Sequence, residues 1–595
     1  MPASPVVATS DLVTYTIKIN GQPIDTSFQV LSVMVNNQMN RIPFCEIEFL
    51  DGNADTEDFP ISDGSAFVPG NKMEVMAGYE SGTQTIFQGL IVKHSIRIKK
   101  NEGPVLVVIG KDAAVKMTKV RKNAYFTNTT DSSILSSIIG KYGLSADVSS
   151  TTPQLKEVIQ YYATDWDFVL ARADVNGMVT IVNNGKVSIQ SPASISDTVL
   201  TLTYGIDIFE FDGEVDAENQ FKSVKSSAWD MKGQAITSQS QSPTDFGAGN
   251  LSTSTLSSVL DLDSFDLQTG AFLESDMLTT WAKAKAIKST YAKMTGTVQF
   301  QGSAAVVPGV LIELKGVGER FNGKGFVSGV RHELQEGNWI TTVTLGISPD
   351  WFTEQLKVEA PLASGLLPGV QGLQIGIVKQ INSDPDNELR VKLDLPLVGT
   401  AGEGVWARLG NGYASSGFGS FFYPEVNDEV IVGFFNDDPR YPVILGSLYS
   451  SGRAPAFTPD EQNNTKALVT RTKMKVEFQE DKKIITITTP ANNQIVLSDE
   501  AKNIKLSDEN NNSITLSPSG IEIKSASAIT INAATNLSME AATGASVKVS
   551  GGDLAMQALN ISNEAQLSYK AQGNASAQLT AAGEVKIQGA LVMIN

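Results

Sequence analysis

From Ile485 onward one short unit repeats: an apolar residue, any residue, a second apolar residue, then a polar or small-residue turn. The pairs run Ile485/Ile487, Ile495/Leu497, Ile504/Leu506, Ile514/Leu516, Ile521/Ile523, Ile529/Ile531, Leu537/Met539, Val547/Val549, Leu559/Ile561, Leu567/Tyr569 and Val585/Ile587, most regularly near eight residues apart. Side chains alternate faces along a strand, so both members of a pair point one way and the residue between points the other. The intervening residues are polar or small, among them Glu522, Thr530, Ser538, Lys548, Asn560 and Ser568. Each unit therefore reads as a very short strand with one wet and one dry face. A single unit buries nothing; stacked units, or several chains wound together, can. An ordinary meander of short hairpins is the competing arrangement. The two-residue seam is too narrow for a sandwich core, and the Ala, Ser, Asn and Thr between pairs leave little to fill one. Three chains sharing one seam, a triple-stranded β-helix, suits the pattern better. Residues 456–595 contain no Trp, Cys or His, and only Phe457, Phe478 and Tyr569 as aromatics. Such a segment suits a rod rather than a catalytic site.

A chain of 595 residues holds several domains. Its formal charge of −18 argues against nucleic-acid wrapping, which needs a basic face. Three copies would carry −54, which favours solubility. The single cysteine, Cys45, lies in an apolar run and reads as a core residue; it rules out a disulfide framework within the chain. The two histidines, His94 and His332, are far apart, so no zinc site is expected, and no cofactor either. The first residues lack a basic start and a long apolar run, so no signal peptide is expected, and no stretch has the length of a membrane span. Synthesis in the cytoplasm follows as an expectation.

Residues 12–115 alternate like strands of a barrel or sandwich, with Gly, Asn and Pro as punctuation. A helix follows, capped by Thr130 or Asp131, with Ile134, Leu135, Ile138, Ile139 and Tyr142 on its apolar face and Gly143 at its end. A second begins at Thr164, whose hydroxyl can accept from the amide of Asp167, with the Asp167 carboxylate reaching back. Residues 178–190 return to strand. Residues 238–258 read as a polar loop, a longer helix is expected from Phe272 to Met294, and strands resume from Gly296 to Gly346. Pro361–Gly372 reads as a linker. Residues 373–450 pack five or six short strands into a small Greek-key barrel of the OB type.

That barrel segment carries a resemblance. Val391 and Lys392, Trp406-Ala407-Arg408, Pro424-Glu425-Val426, Asp428-Glu429-Val430, Asp438-Pro439-Arg440, Pro442, Gly446 and Tyr449 together resemble the OB domain of the VgrG family and of phage central spikes. The stretches SSILSSIIGKYGL, YYATDWDFVLARADVNGMVTI and VVPGVLIELKGVGERFNGKGFVSGVRHELQEGNWITTVTLG resemble the tail-hub domain of the same proteins. The resemblance implies a mainly β homotrimer in three parts. They are a tail-hub-like domain of two β-barrel units with helical insertions (1–360), a linker and OB-fold domain (361–455), and a connecting segment with a trimeric β-helix needle (456–595). It also implies a hub and spike of a contractile injection machine, an extracellular particle before a type six secretion or phage spike. A lytic spike enzyme and a receptor-binding fibre are further alternatives. Its partners would be inner tube and baseplate proteins, effector cargo, a PAAR-type tip protein and, in passing, the target membrane. Only about 36 residues separate Tyr449 from Ile485, too few for the lysozyme domain of some spikes, and no enzymatic activity is expected. The sequence given ends on Leu591, Val592, Met593, Ile594 and Asn595, the expected docking face for the tip protein.

Three further motifs have plainer readings. Asp51, Asn53 and Asp55 resemble a calcium loop but lack its Gly at Thr56 and Glu at Ser62, so a solvated acidic loop is expected. Gly410–Gly419 has phosphate-loop glycines but no terminal Lys, and reads as a barrel loop. Asp437 and Asp438 with Arg440 sit in a Pro-flanked turn rather than a cleft. Trp166 and Trp281 read as core aromatics.

Overall fold

The computed structural model describes residues 3–6, 13–80, 82–100, 103–399 and 403–594. The chain divides into two compact units, Met1–Leu448 and Tyr449–Asn595. The first is mainly β.

The two β units expected within residues 1–360 share one continuous 13-stranded sheet. Strand Val30–Gln38 pairs antiparallel with strand Gly323–Gln335, with Ser32 opposite Gln335 and Gln38 opposite Gly329. Neither unit closes on itself: among the described residues only the strands of residues 374–447 form a closed barrel. Two edge strands nearly 300 residues apart satisfy each other's backbone groups, which removes the need for closure. Two core clusters result, and Leu334 and Trp339 of the second half pack into the first. Val33, Val35, Cys45, Ile47, Phe49 and Phe67 pack the first, and the Phe49 and Phe67 rings lie 4.6 Å apart. Leu202, Val298, Phe300, Ile312, Leu314 and Val343 pack the second.

The helical insertion follows its capping residues. Helix Asp131–Gly140 starts at Thr130, which accepts from the Ser133 amide, and buries Ile134, Leu135, Ile138 and Ile139. Helix Asp165–Val175 starts at Thr164, which accepts from the Asp167 amide at 3.0 Å. The Asp167 carboxylate reaches back to the Thr164 hydroxyl at 2.6 Å rather than to its backbone. Trp166, Val169 and Leu170 face inward as expected. Arg172 grips Asp131 with two bonds of 2.7 and 2.8 Å, tying the helices together.

Two segments differ from the sequence reading. The polar stretch 238–258 is not all loop: strand Ala235–Gln241 occupies its start and a short helix, Thr253–Ser257, its end. The strand forms because its neighbour Val224–Asp230 supplies a full ladder, which overrides the weak pattern of its own side chains. The long helix spans Ser275–Ala292, and its second half is buried on all sides rather than along one stripe. Three lysines stay there because each finds oxygen. Lys285 donates to the Pro349 carbonyl at 2.8 Å, Lys288 pairs with Asp174 at 2.7 Å, and Lys293, just past the helix, pairs with Asp245 at 2.8 Å.

His332 lies in the sheet beside Trp339, its Nδ1 2.9 Å from the Thr341 hydroxyl. Burial pushes its imidazole down to about 4. A histidine that is harder to protonate folded than unfolded contributes stability above its unfolded pKa of about 6.5, and this is lost as pH falls toward the folded value. Stability of this unit is therefore expected to fall between about pH 6.5 and 4 by up to ~3 kcal/mol from this residue alone. Chemical denaturation across that range checks this; a His332→Gln chain should show a flatter profile, and an identical acid slope in both chains contradicts the assignment.

Candidate functional site: the apolar ladder and the barrel before it

In the second unit, strands Thr465–Val469, Lys475–Gln479, Ile484–Thr488, Gln494–Ser498, Asn503–Ser507, Ser513–Ser517 and Gly520–Lys524 form one antiparallel meander. Their register aligns the apolar pairs into two columns. One runs Phe478, Ile485, Leu497, Ile504, Leu516, Ile521. The other runs Val476, Ile487, Ile495, Leu506, Ile514, Ile523. The residues between the pairs, Thr486, Val496, Lys505, Thr515 and Glu522, form the opposite face. A slip of one residue would exchange the two faces, so the alternation itself fixes this register. Sequence periodicity revealed the pairs; the columns also needed turn lengths, set by residues such as Asn492, Lys502 and Asn511 with positive φ.

The meander has no core. The apolar pairs from Ile485 to Leu516 are 36–42% exposed in the single chain, and Ile487, Ile495, Leu506, Ile514, Ile523 and Ile529 bound an open cleft of about 620 Å³. Beyond Lys524 the pattern changes. The chain bends near residues 526, 534, 542, 550, 559, 566, 574, 582 and 590, a repeat of about eight residues, but no described residue of 525–594 joins a strand ladder. The pairs there are 45–101% exposed. The sequence led us to expect short strands through this region, and the single chain supplies none because the repeat leaves no second segment to pair with. Backbone groups taken from water without a partner cost about 1–3 kcal/mol each. Each isoleucine or leucine moved fully out of water contributes ~1.5–3 kcal/mol. Both terms favour pairing with further copies.

The barrel of residues 374–447 closes through strands Gln374–Gln380, Val391–Asp394, Val405–Leu409, Glu429–Phe434 and Pro442–Ser447 around Val378, Val391, Leu393, Ala407, Val430, Val432 and Ile444. Its loops are pinned by carboxylates. Asp384 accepts from the Glu388 and Arg390 amides at 3.0 and 3.1 Å and from the Arg390 guanidinium at 2.6 Å. Arg390 holds the Asp384 carboxyl well below the usual range. This clamp fixes Leu389 at φ +59°, a left-handed conformation rare for a leucine. Sequence reasoning missed the clamp; its trace was the acid-rich DPDNELR turn. Asp438 takes Arg440 at 2.7 and 3.0 Å, which lowers its carboxyl too, and this Asp and Arg brace a turn.

Other singled-out residues are likewise consumed by the fold. Asp51 is buried rather than solvated: its carboxylate accepts from the Ile61 and Ser62 amides at 3.0 and 2.7 Å, ordering the loop. Gly410–Gly419 contains a small hairpin, Ala414–Ser415 with Phe418–Gly419. Cys45 is fully buried, and burial, with Glu46 beside it, pushes its thiol well above the usual value. His94 bonds the Ser62 hydroxyl at 2.7 Å and the Phe67 carbonyl at 3.0 Å. Among the described residues no group of three His, Cys, Asp or Glu is placed to hold a metal, and no helix is long and apolar enough to cross a membrane. Leu591, Val592, Met593 and Ile594 are 47–88% exposed, no more than the ladder before them; Asn595 lies outside the described residues.

Three family models match. One described as the Type VI secretion system/phage-baseplate injector OB domain covers residues 374–449. One described as the phage baseplate V C-terminal trimerisation domain covers 484–555. One described as the Alg8 N-terminal domain covers 9–336. Among curated relatives, the type VI secretion system spike protein VgrG3 of Vibrio cholerae serotype O1 is 38% identical over 85 residues, 13% of this chain and 8% of that protein. The actin cross-linking toxin VgrG1 of Vibrio cholerae serotype O1 is 33% identical over 99 residues, 16% and 9% respectively. The match thus spans less than a tenth of each relative's length. Among solved structures, the 43 kDa tail protein of prophage MuSo2 from Shewanella oneidensis is 11% identical, covering 57% of this chain and 98% of its own at a TM-score of 0.43.

An injector OB barrel followed by a trimerisation domain defines the class, a spike built to work as a bundle of three chains. The chain belongs to the Alg8 N-terminal domain family through residues 9–336 and is a VgrG-family spike protein.

Charge placed in an apolar column should act differently from charge on the opposite face. Ile514→Lys is expected to abolish trimers or lower their melting temperature by many degrees, because burial of an unpaired ammonium costs several kcal/mol and recurs three times. Thr515→Lys should change little. Equal effects in a thermal melt of the two chains contradict this register.

Proposed function

We propose that the chain is the hub and spike at the tip of a contractile injection machine. It joins inner tube to baseplate and is driven through the target envelope when the sheath contracts. One observation carries this reading: about 70 residues of apolar-pair repeat have no ladder within the chain. Three such segments wound together pair their backbone groups and enclose both columns, leaving no free edge. The product is a stiff rod with a dry centre. Its role is mechanical. The carboxylates, thiol and imidazole that invited a catalytic reading brace loops or lie in cores, and none faces a nucleophile and base in a cleft. The resemblance to a type VI spike favours a second reading of the machine, anchored in the cell that builds it rather than released as a particle. In either, residues 591–595 form the face that takes a PAAR-type tip protein.

Electron microscopy of the machine from cells carrying the gene, deleted for it, or truncated after Ala590 tests the reading. Deletion should leave no sheathed particles with a tipped baseplate. Truncation should leave particles assembled but without the tip protein, and purified chain should release no fragments from peptidoglycan above buffer. Normal particles in the deletion strain contradict the hub role; retention of the tip protein by truncated particles contradicts the docking face. Fragment release abolished by a point mutation contradicts the mechanical reading.

A further inference from the structure

One stretch of this acidic chain is strongly basic. Residues 92–122 hold nine Lys and Arg against Glu102 and Asp112, a net of +7 within a total of −18. Asp112 is buried and accepts from the Ala114 and Gly185 amides, while Glu48 pairs with Arg97 and Asp165 with Lys122, so part of this charge is matched within the fold. Lys116 and Lys119 are exposed and have no carboxylate partner among the described residues.

These lysines lead directly into a two-stranded ribbon, Arg121–Thr129 with Leu155–Thr164, that pairs with no further strand among the described residues. Its outer face is unusually aromatic. Tyr125 is 82% exposed and Tyr161 73%, and Ile159 lies directly opposite Tyr125. The ribbon is held rigid at their side. A bulge between Gln160 and Ala163 puts Tyr162 at φ +42°, a strained conformation for a bulky residue. Three contacts hold it: the Tyr162 amide donates to Asn123 at 2.7 Å, Arg121 donates to the Tyr162 carbonyl at 2.9 Å, and the same guanidinium lies over the Tyr162 ring at 5.7 Å. Beneath, Lys122 is tied to buried Asp165 at 2.7 Å and to the Tyr142 hydroxyl at 2.8 Å. No core contact requires the outer tyrosines, and strain kept in place by several bonds marks sites whose shape serves recognition.

We infer that this ribbon and the Lys116–Lys119 turn before it form a docking surface for an acidic protein. Unmatched ammonium groups call for carboxylates, and exposed tyrosines on a rigid support are the residues that anchor protein interfaces at low entropic cost. Glu157 shares the outer face, opposite Thr127. The surface is distinct from the apolar ladder and does not depend on the proposed role of the spike.

Fluorescence anisotropy of labelled poly-L-glutamate with the full chain tests this. Binding is expected at low salt, weakening as salt rises. K116E/K119E should lower affinity about tenfold or more, and Tyr125→Ser/Tyr161→Ser several-fold, both at unchanged melting temperature because these side chains are exposed. No binding, or affinity unchanged in either variant, overturns the proposal. So does an equal loss in a Lys505→Glu control. Capture by phosphatidylserine vesicles without binding to poly-L-glutamate overturns it in favour of a lipid surface.

Discussion

A peptide group removed from water must find a hydrogen-bond partner, and this requirement governs the second unit of the chain. Up to Lys524 the chain meets it alone, by folding back every few residues into a meander. After Lys524 the turns shorten to an eight-residue repeat with no ladder inside the chain. The same residues expose nearly every apolar side chain they own. Unpaired backbone and uncovered side chains have one joint remedy, association with identical segments, which pairs the first and buries the second. The trimerisation-domain match over 484–555 falls across this transition.

The first unit solves a different problem. Its sheet joins two halves through a run of backbone pairs, from Ser32 opposite Gln335 to Gln38 opposite Gly329, and through Leu334 and Trp339 of the second half, which pack into the core of the first. Several charged groups that enter the interior are paired closely: Lys288 with Asp174, Lys293 with Asp245, Arg172 with Asp131. Removing one partner of such a pair is costly because the other stays buried and charged. These pairs therefore hold helices to one geometry.

Much of this was legible in the sequence, for reasons that differ by region. The apolar pairs were visible because their period is local, and the capping threonines because Thr130 and Thr164 act on amides three residues away. The barrel was visible through an ordered set of motif residues. What local patterns could not show was pairing across distance. The junction of Val30–Gln38 with Gly323–Gln335 has no trace in either segment, and a strand as polar as Ala235–Gln241 exists only because its neighbour offers a ladder. Asp51 looked solvated because its partners are backbone amides, which every sequence contains. The expected docking residues 591–594 gain no distinction in the single chain, since the whole ladder before them is equally bare.

The central claim is that the ladder is half-made in one chain and completed by two more. Light scattering of the purified full chain at micromolar concentration measures this directly. The account predicts a single species of three times 63.6 kDa. A monodisperse monomer with the ladder intact would contradict it.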